Sequence, residues 1–246
     1  MDARYEAKYH ILEEEHWWFR SRRHMVYSII NELNLSASTA ILEVGCSAGP
    51  LLLKLQQAGF TNLTGIDVSE TAIALGNERG LKCISVMDGA KLAFPDATFD
   101  LVIASDVLEH IADDKLAMQE WARVLKPGGK LIVFVPAFQH LWSNHDVVNH
   151  HFKRYSKVEL KTIVAQAGLN IKRASYWNFS LYFPTLLVRK LQNSVTSKSA
   201  LPDDDLQQLP TIVNSILTNL VKLENKLLTK VNYPVGVSVF VVAIKA

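Results

Sequence analysis

The 246-residue sequence has few cysteines and no long uncharged apolar run. Its two cysteines, Cys46 and Cys83, are too few for a disulfide framework and are typical of a reducing compartment. No stretch reaches the ~18 uncharged apolar residues that a membrane-spanning helix needs. Residues 1–24 carry charges throughout and lack the apolar stretch of a signal peptide. We therefore expect a cytoplasmic protein.

The sequence also lacks a strong charge of either sign. It has 26 Lys and Arg against 24 Asp and Glu, a formal net charge of +2, and this balance does not indicate nucleic acid or an anionic membrane. No basic stripe is present, and nucleic acid is not an expected partner. There is no internal repeat or low-complexity run. The composition shifts once, near 195–210, which predicts an exposed loop.

Short apolar runs alternate with helix-like segments from residue 40 to 136. This alternation predicts an open parallel sheet with helices on both faces. Ligands of such sheets bind beyond the carboxyl ends of the strands. The expected strands are 40–45, 62–67, 81–86, 99–105 and 130–136, followed by a helix after 156, a sixth strand at 169–177 and a last strand at 235–246.

The turn after the first expected strand carries the strongest functional signal. It reads EVGCSAGP, a G-x-S-x-G pattern followed by Pro50. Glycine permits a tight backbone and a close approach of a ligand. Asp67 ends the second strand, where an acid accepts hydrogen bonds from the ribose hydroxyls of a nucleoside. A dinucleotide enzyme would carry a third glycine in this turn. Its absence disfavours a nicotinamide oxidoreductase, and the pattern favours a nucleoside site.

Four motifs, ILEVGCSAG, GIDVSE, VMDGAKLAFPDATFDLVIASDVLEH and RVLKPGGKLIVFVP, occur in this order between residues 40 and 136. Together they resemble the class I S-adenosylmethionine-dependent methyltransferases, particularly the branch that includes ubiquinone- and menaquinone-type methyltransferases. The resemblance implies a Rossmann-like, seven-stranded, mostly parallel sheet. Its last strand would insert antiparallel between the fifth and sixth.

The resemblance also implies the residues that bind the cofactor, S-adenosylmethionine. Glu43 and the backbone of the turn would hold its amino acid end, and Asp67 would bind the ribose. Ile66 or Val68 would pack on the adenine. Asp88 and the Gly89 amide would form hydrogen bonds with the amino edge of the adenine. The expected cofactor residues are Glu43, Gly45, Cys46, Ser47, Gly49, Asp67, Val68, Asp88, Gly89, Ser105 and Asp106. The carboxylate of Asp88 suits the exocyclic amine of the adenine, because it accepts the hydrogen bonds that the amine donates. Cys46 is expected to pack there and not to act as a nucleophile.

Two sets of residues are candidates for the acceptor side. His110, after the fourth strand, is a candidate base because the pKa of histidine lies near neutrality; packing of the turn is the alternative. The segment 141–156 resembles one found in methyltransferases with lipid- and glycan-associated acceptors. This resemblance places His145, His151, Arg154 and Tyr155 over the acceptor pocket, Arg154 binding an anionic group. Its histidine spacing does not match a zinc site, so no metal is expected. A solvated polar loop is the alternative.

The two remaining segments lie outside the core pattern. HWWF-R-x-R-R, from residue 16, resembles the N-terminus of the same lipid- and glycan-associated group. We expect Trp17 and Phe19 to pack on the sheet edge while Trp18, Arg20 and Arg23 face the acceptor. Residues 176–234 predict a helical pair, which closes the acceptor pocket, forms a dimer face or contacts a membrane.

We expect one methyltransferase domain over 1–246. Its parts are a helical N-terminal cap (1–36), a Rossmann-like core (37–175), a helical insertion (176–234) and the last strand (235–246). The expected acceptor is a small or lipid-linked molecule, with a peripheral membrane contact and a homodimer left open. The alternative function is a cofactor-binding module without catalysis. No N/D-P-P-Y-type tetrapeptide follows the fourth strand, which further disfavours nucleic acid or protein acceptors.

Overall fold

The computed structural model describes residues 12–195 and 208–246, without the side chains of 192–195. The first eleven residues of the expected cap lie outside this range. So does most of the segment near 195–210 for which we predicted an exposed loop.

A single seven-stranded sheet forms the centre of the molecule. Its strand order is β3-β2-β1-β4-β5-β7-β6, and β7 runs antiparallel to both of its neighbours. This confirms the predicted sheet, including the insertion of the last strand between the fifth and sixth. The strands are β1 (Ile41–Val44), β2 (Leu63–Asp67), β3 (Ile84–Val86), β4 (Phe99–Ser105), β5 (Leu125–Pro136), β6 (Leu169–Trp177) and β7 (Ser238–Lys245).

Helices cover both faces of the sheet and include the predicted helical cap and the predicted helical pair. They are α1 (Trp17–Glu32), α2 (Pro50–Gln57), α3 (Glu70–Glu78), α4 (Asp114–Val124), α5 (Asn144–Val148), α6 (Lys157–Gln166), α7 (Tyr182–Val195) and α8 (Thr211–Leu228), with short 3-10 turns at Leu108–His110 and Gln139–Leu141. Residues 12–15 are also helical. Side-chain caps begin several of them: Ser69 accepts from the Ala72 amide, and Ser156 accepts from the Glu159 amide.

Alternate residues of the central strands divide the core into two layers, as the period of a strand requires. On one face, Trp121 of α4 and Leu160 of α6 pack against Val102 and Val133. The Trp121 side chain is fully buried, and its Nε1 donates to the Gly89 carbonyl over 2.8 Å. This face therefore anchors the loop that follows β3.

On the other face, α1, α2 and α8 pack against β1, β4, β5 and β7. Asn225 joins α8 to β6 and to α1. Its Oδ1 accepts from Trp177 Nε1 over 2.7 Å, and its Nδ2 donates to the Ser21 carbonyl over 3.0 Å. The helix of the insertion thus packs beside the N-terminal helix and holds it on the sheet.

The boundaries differ from the predicted ones mainly at β5. This strand begins at Leu125, not at residue 130, because Leu125 already pairs with Phe99 across an irregularity in the ladder. The LKPGG segment was predicted to end the preceding helix, and that helix ends at Val124. Among the described residues, no helix has both the length and the apolar character needed to cross a membrane.

Candidate active site

The glycine turn after β1 is held by main-chain hydrogen bonds. The Cys46 amide donates to the Ile66 carbonyl over 2.9 Å, and the Gly49 amide donates to the Cys46 carbonyl over 2.8 Å. Gly45 has a φ of 69°, and a Cβ at this position would lie 2.3 Å from Val107 Cγ2. Ser47 adopts a φ of 49° without being glycine. Ser47, the middle residue of the G-x-S-x-G pattern, therefore adopts a left-handed backbone that glycine adopts more readily.

Two carboxylates, Glu43 and Asp67, lie at the carboxyl ends of β1 and β2. Asp67 is fixed by two amides: Ser47 N donates to Oδ2 over 2.8 Å and Ser69 N donates to Oδ1 over 2.9 Å. Glu43 is buried, and its Oε2 has no hydrogen-bond partner among the described residues. Burial, together with Glu13 and Asp67, raises the pKa of Glu43 well above its usual value.

These carboxylates fit a cofactor with cationic and hydroxyl groups. An unpaired buried acceptor costs free energy until a donor satisfies it. The α-ammonium group of S-adenosylmethionine would supply that donor to Glu43, and the ribose hydroxyls would donate to Asp67.

The residues expected around the adenine lie at different depths. Val68 is exposed over 71% of its surface and lines the cavity beside Gly89, whereas Ile66 is fully buried in the core. Asp88 is exposed, and its Oδ1 accepts from the Ala90 amide over 2.8 Å. Of the two residues considered for adenine packing, Val68 is the one at the cavity.

The N-terminal segment closes the cofactor end of the cavity. Ser47 Oγ donates to Glu13 Oε2 over 2.8 Å. Arg23 Nη1 donates to the Glu13 carbonyl, and Arg79 forms a 2.6 Å ion pair with Glu14. These contacts attach the cap to the glycine turn and to Arg79, the residue that follows α3.

Arg22 is a buried cation on the other side of the cavity. Its Nη2 donates to Asp106 Oδ1 over 3.2 Å and to Ser238 Oγ over 2.6 Å. Its guanidinium carbon lies 4.9, 4.3 and 4.1 Å from the ring centroids of Trp18, Phe134 and Trp177. Nε and Nη1 have no hydrogen-bond partner in the described chain. Burial lowers the pKa of Arg22, against the opposing charges of Asp106 and Glu109.

The turn, the cap and Arg22 surround one cavity of about 560 Å³. Its volume lies in the usual range for small-molecule sites. It extends from the carboxylates of the sheet edge, past Ser105 and Asp106, to His110 and the loop after α5. The predicted residues that line it are Trp18, Arg23, Glu43, Gly45, Cys46, Ser47, Asp67, Val68, Gly89, Ser105, Asp106 and His110.

The other predicted residues lie outside the lining of this cavity. Arg20 is exposed on α1. Tyr155 is fully buried, and its hydroxyl donates to Asp114 Oδ2 over 3.1 Å and contacts the Leu108 carbonyl at 3.3 Å. No described residue of the insertion lines the cavity, so the expected closure of the acceptor pocket by this segment finds no support. The predicted residues outside the lining are Arg20, Gly49, Asp88, His145, His151, Arg154 and Tyr155.

Arg154 is engaged by Asp146 instead of facing an anionic acceptor. Its Nε and Nη2 donate to the two oxygens of Asp146 over 2.8 and 2.9 Å. His151 Nδ1 lies 2.8 Å from Asp146 Oδ1. Burial alone would raise the pKa of Asp146, but the bonds from His151 and Arg154 outweigh it and the pKa is lowered. His145 packs edge-on to His151, with ring centroids 5.8 Å apart. The segment is an ordered network, not a solvated loop.

His110 is the member of the predicted histidine set that reaches the cavity. Burial and the neighbouring His151 lower the pKa of His110 to about 4. A proton acceptor works best with a pKa near the working pH. A lowered pKa makes His110 a weaker base than an ordinary histidine, and its role as a general base stays a prediction.

Sequence reasoning overlooked Arg22, Glu13 and Glu109. Arg22 was passed over in favour of Arg20 and Arg23, although α1 brings it to the sheet. One signal was available: Arg22 lies four residues after Trp18, on the same side of a helix, so the two side chains meet.

The geometry defines a Rossmann-like protein with a carboxylate-lined cavity at the edge of its sheet, and comparisons with known proteins specify it further. Residues 42–133 match the model of the methyltransferase domain family. The chain is 34% identical over 106 residues to 27-O-demethylrifamycin SV methyltransferase of Amycolatopsis mediterranei, covering 40% of this chain and 39% of that protein. It is 32% identical over 127 residues to demethylmenaquinone methyltransferase of Shouchella clausii, covering 46% and 54%.

One solved structure shows the fold over nearly the whole chain. It is a methyltransferase of Haloferax volcanii in complex with the Trm112 methyltransferase activator, with a TM-score of 0.64 and 19% identity, covering 98% of this chain and 93% of that chain. These matches are to methyltransferases, the class that the four motifs resemble, and the family match lies within the region of those motifs. The matches span 39% and 54% of the two curated relatives, less than two thirds of each.

Proposed function

We propose that the protein transfers the methyl group of S-adenosylmethionine to an acidic oxygen of a small or lipid-linked acceptor. The observation that carries this proposal is the cavity lined both by Glu43, whose buried Oε2 has no hydrogen-bond partner among the described residues, and by the buried guanidinium of Arg22. The curated relatives named above methylate small molecules by their names. This supports a small-molecule acceptor and leaves its identity to experiment.

The cofactor supplies a methyl carbon that its sulfonium already activates for displacement. The protein then has to position the acceptor and stabilise the developing charge. Glu43, Asp67 and the turn at Gly45–Ser47 would hold the cofactor at the edge of the sheet. Asp106, which lies between this edge and Arg22, would separate the guanidinium from the positive charge of the cofactor.

The charge of Arg22 determines which kind of acceptor group this side of the cavity favours. A buried guanidinium with unpaired N–H groups favours an oxygen anion and disfavours a protonated amine. A cation beside an acidic oxygen also lowers the pKa of that oxygen, so that no strong base is required. We assign acceptor binding to Arg22 and Trp18. Arg154 and His145 have the role of holding the loop after α5 in place.

The test is transfer of a labelled methyl group. The purified full chain would be incubated with methyl-labelled S-adenosylmethionine and an extract of the source cells, and the products partitioned between organic solvent and water. We expect label in a small product that requires the wild-type chain and is lost with Asp67→Ala. Cofactor binding without transfer to any fraction would contradict the proposal and favour a non-catalytic binding module.

The phase that carries the label also tests the acceptor class. Label in the organic phase would support a lipid-linked acceptor, and label in water a soluble metabolite. The insertion leaves large apolar side chains exposed on α7 and α8, among them Phe183, Leu187, Ile212 and Ile216. These side chains support a peripheral contact of this surface with a membrane or with a second copy of the chain.

A further inference from the structure

A second cluster of ionisable side chains lies beside the cavity. Glu109 and His110 belong to the short turn after β4, and His151 follows α5. One ligand atom from each of the three lies within 4.8 Å of the other two. The rings of His110 and His151 meet edge-on with centroids 4.5 Å apart. The Phe152 amide donates to the Glu109 carbonyl over 2.8 Å, which ties the two segments together.

His151 is oriented for ligation by a buried carboxylate. Its Nδ1 lies 2.8 Å from Asp146 Oδ1, and a carboxylate accepts hydrogen bonds only, so Nδ1 is the donor. Nε2 then carries the lone pair of the neutral ring. Asp146 is in turn held by both nitrogens of the Arg154 fork. A carboxylate that fixes the second nitrogen of a histidine is the usual outer partner of a metal ligand.

Glu109 supplies an independent observation. Its side chain is 1% exposed, and Oε2 has no hydrogen-bond partner within the described residues. A buried carboxylate oxygen without a donor is unfavourable unless it is paired or coordinates a cation. The charges of Arg22 and Arg154 act to lower the pKa of Glu109, but neither side chain donates a hydrogen bond to Oε2. One oxygen of this carboxylate lies within 4.8 Å of a ring nitrogen of each histidine.

We propose that Glu109, His110 and His151 bind a divalent transition-metal ion of the zinc type. Two histidines and one glutamate are a known ligand set of zinc sites with an open position. Ligand atoms about 2.1 Å from a tetrahedral ion lie about 3.4 Å apart. Binding of the ion would draw the three ligand atoms, which lie within 4.8 Å of one another, closer together.

The spacing within 141–156 predicted no metal because it shows only the ligands of one segment. Two of the three residues proposed here come from the turn after β4, about forty positions earlier in the chain. Since His110 also lines the cavity, the open position of the ion would face the acceptor end. That use of the ion rests on the proposed function; binding of the ion does not.

The test measures metal binding apart from methyl transfer. The full chain, stripped with a chelator and dialysed, would be titrated with zinc chloride by calorimetry and with cobalt(II) by visible absorption. We expect one ion per chain. His151→Ala and Glu109→Gln should each weaken binding more than about 100-fold, because loss of a ligand exceeds the 10–100-fold effect of an outer partner. His140→Ala is the matched control, since His140 is exposed and lies outside the cluster.

S-adenosylmethionine binding, measured on the same samples, separates this proposal from the function proposed above. Glu109 and His151 do not line the cavity, so cofactor binding should persist in both variants and show that they are folded. The absence of a stoichiometric ion in the wild type would overturn the site, as would unchanged binding in both variants. If cofactor binding failed in the wild type while the ion bound, the proposed function alone would be contradicted.

Discussion

At the scale of single residues, we expect acceptor binding to depend on Arg22 and not on its neighbour Arg20. We expect Arg22→Met to raise the acceptor KM at least about 10-fold, since a hydrogen bond to a charged group contributes about 1.5–3 kcal/mol. Cofactor affinity should change little. Arg20→Met, two positions away on an exposed surface, is the comparison variant, and steady-state kinetics on both measure the difference. A larger effect at Arg20 would restore the assignment that the sequence suggested.

Glu43 links cofactor binding to pH. In the free protein its pKa is raised by burial and by Glu13 and Asp67. A bound cation lowers that pKa, so binding releases a proton and the affinity rises with pH until the free carboxyl is ionised. Calorimetry in two buffers of different ionisation enthalpy should show this proton release. It should vanish in Glu43→Gln. Proton uptake by the wild type would rule out this assignment.

Gly45 is required both for its backbone and for its missing side chain. Gly45→Ala should destabilise the fold by more than about 1–2 kcal/mol, the usual cost of a left-handed non-glycine residue, because its Cβ also collides with Val107. Gly80→Ala is the matched control: its φ is 94°, and nothing lies within 4 Å of the added Cβ. Thermal unfolding of both variants compares them. Equal losses would show that the contact with Val107 is unimportant.

At the scale of elements, the helix of the insertion holds the cap in place through Asn225. Asn225→Ala leaves Trp177 Nε1 and the Ser21 carbonyl buried without this partner, at a cost of about 2–4 kcal/mol. The melting temperature should fall by about 4–16 °C. Asn219→Ala, on the exposed side of the same helix, should lower the melting temperature by less than about 2 °C. Similar shifts in the two variants would contradict this role of α8.

The elements also show how far the sequence was sufficient. The strands and the helical pair were predictable because period-2 and period-3.6 patterns are local. The early start of β5 was not, since it depends on pairing between Leu125 and Phe99. The packing of α8 beside α1 was also not predictable from the sequence. Both helices have apolar faces, and the pattern does not state which surface each face covers.

At the scale of the whole molecule, the carboxylates at the sheet edge were predictable and the opposite end of the cavity was not. Glu43 and Asp67 lie at the carboxyl ends of neighbouring strands, and topology alone brings such residues to one edge. The acceptor end is assembled from α1, the turn after β4 and the loop after α5, far apart in sequence. The sequence identified His110, His151 and Arg154 as candidate functional side chains. Only tertiary structure shows that Asp146 engages Arg154 and that Glu109 joins the histidines.

The measurement that tests the central claim most directly is the identity of the bond that the protein forms. The wild-type chain would be given S-adenosylmethionine with a ¹³C-labelled methyl group and the acceptor-containing fraction, and the product examined by NMR. We expect an O-methyl carbon, formed much more slowly by Arg22→Met. A labelled N-methyl or C-methyl product formed equally well by Arg22→Met would contradict the assignment of Arg22 and of an oxygen acceptor.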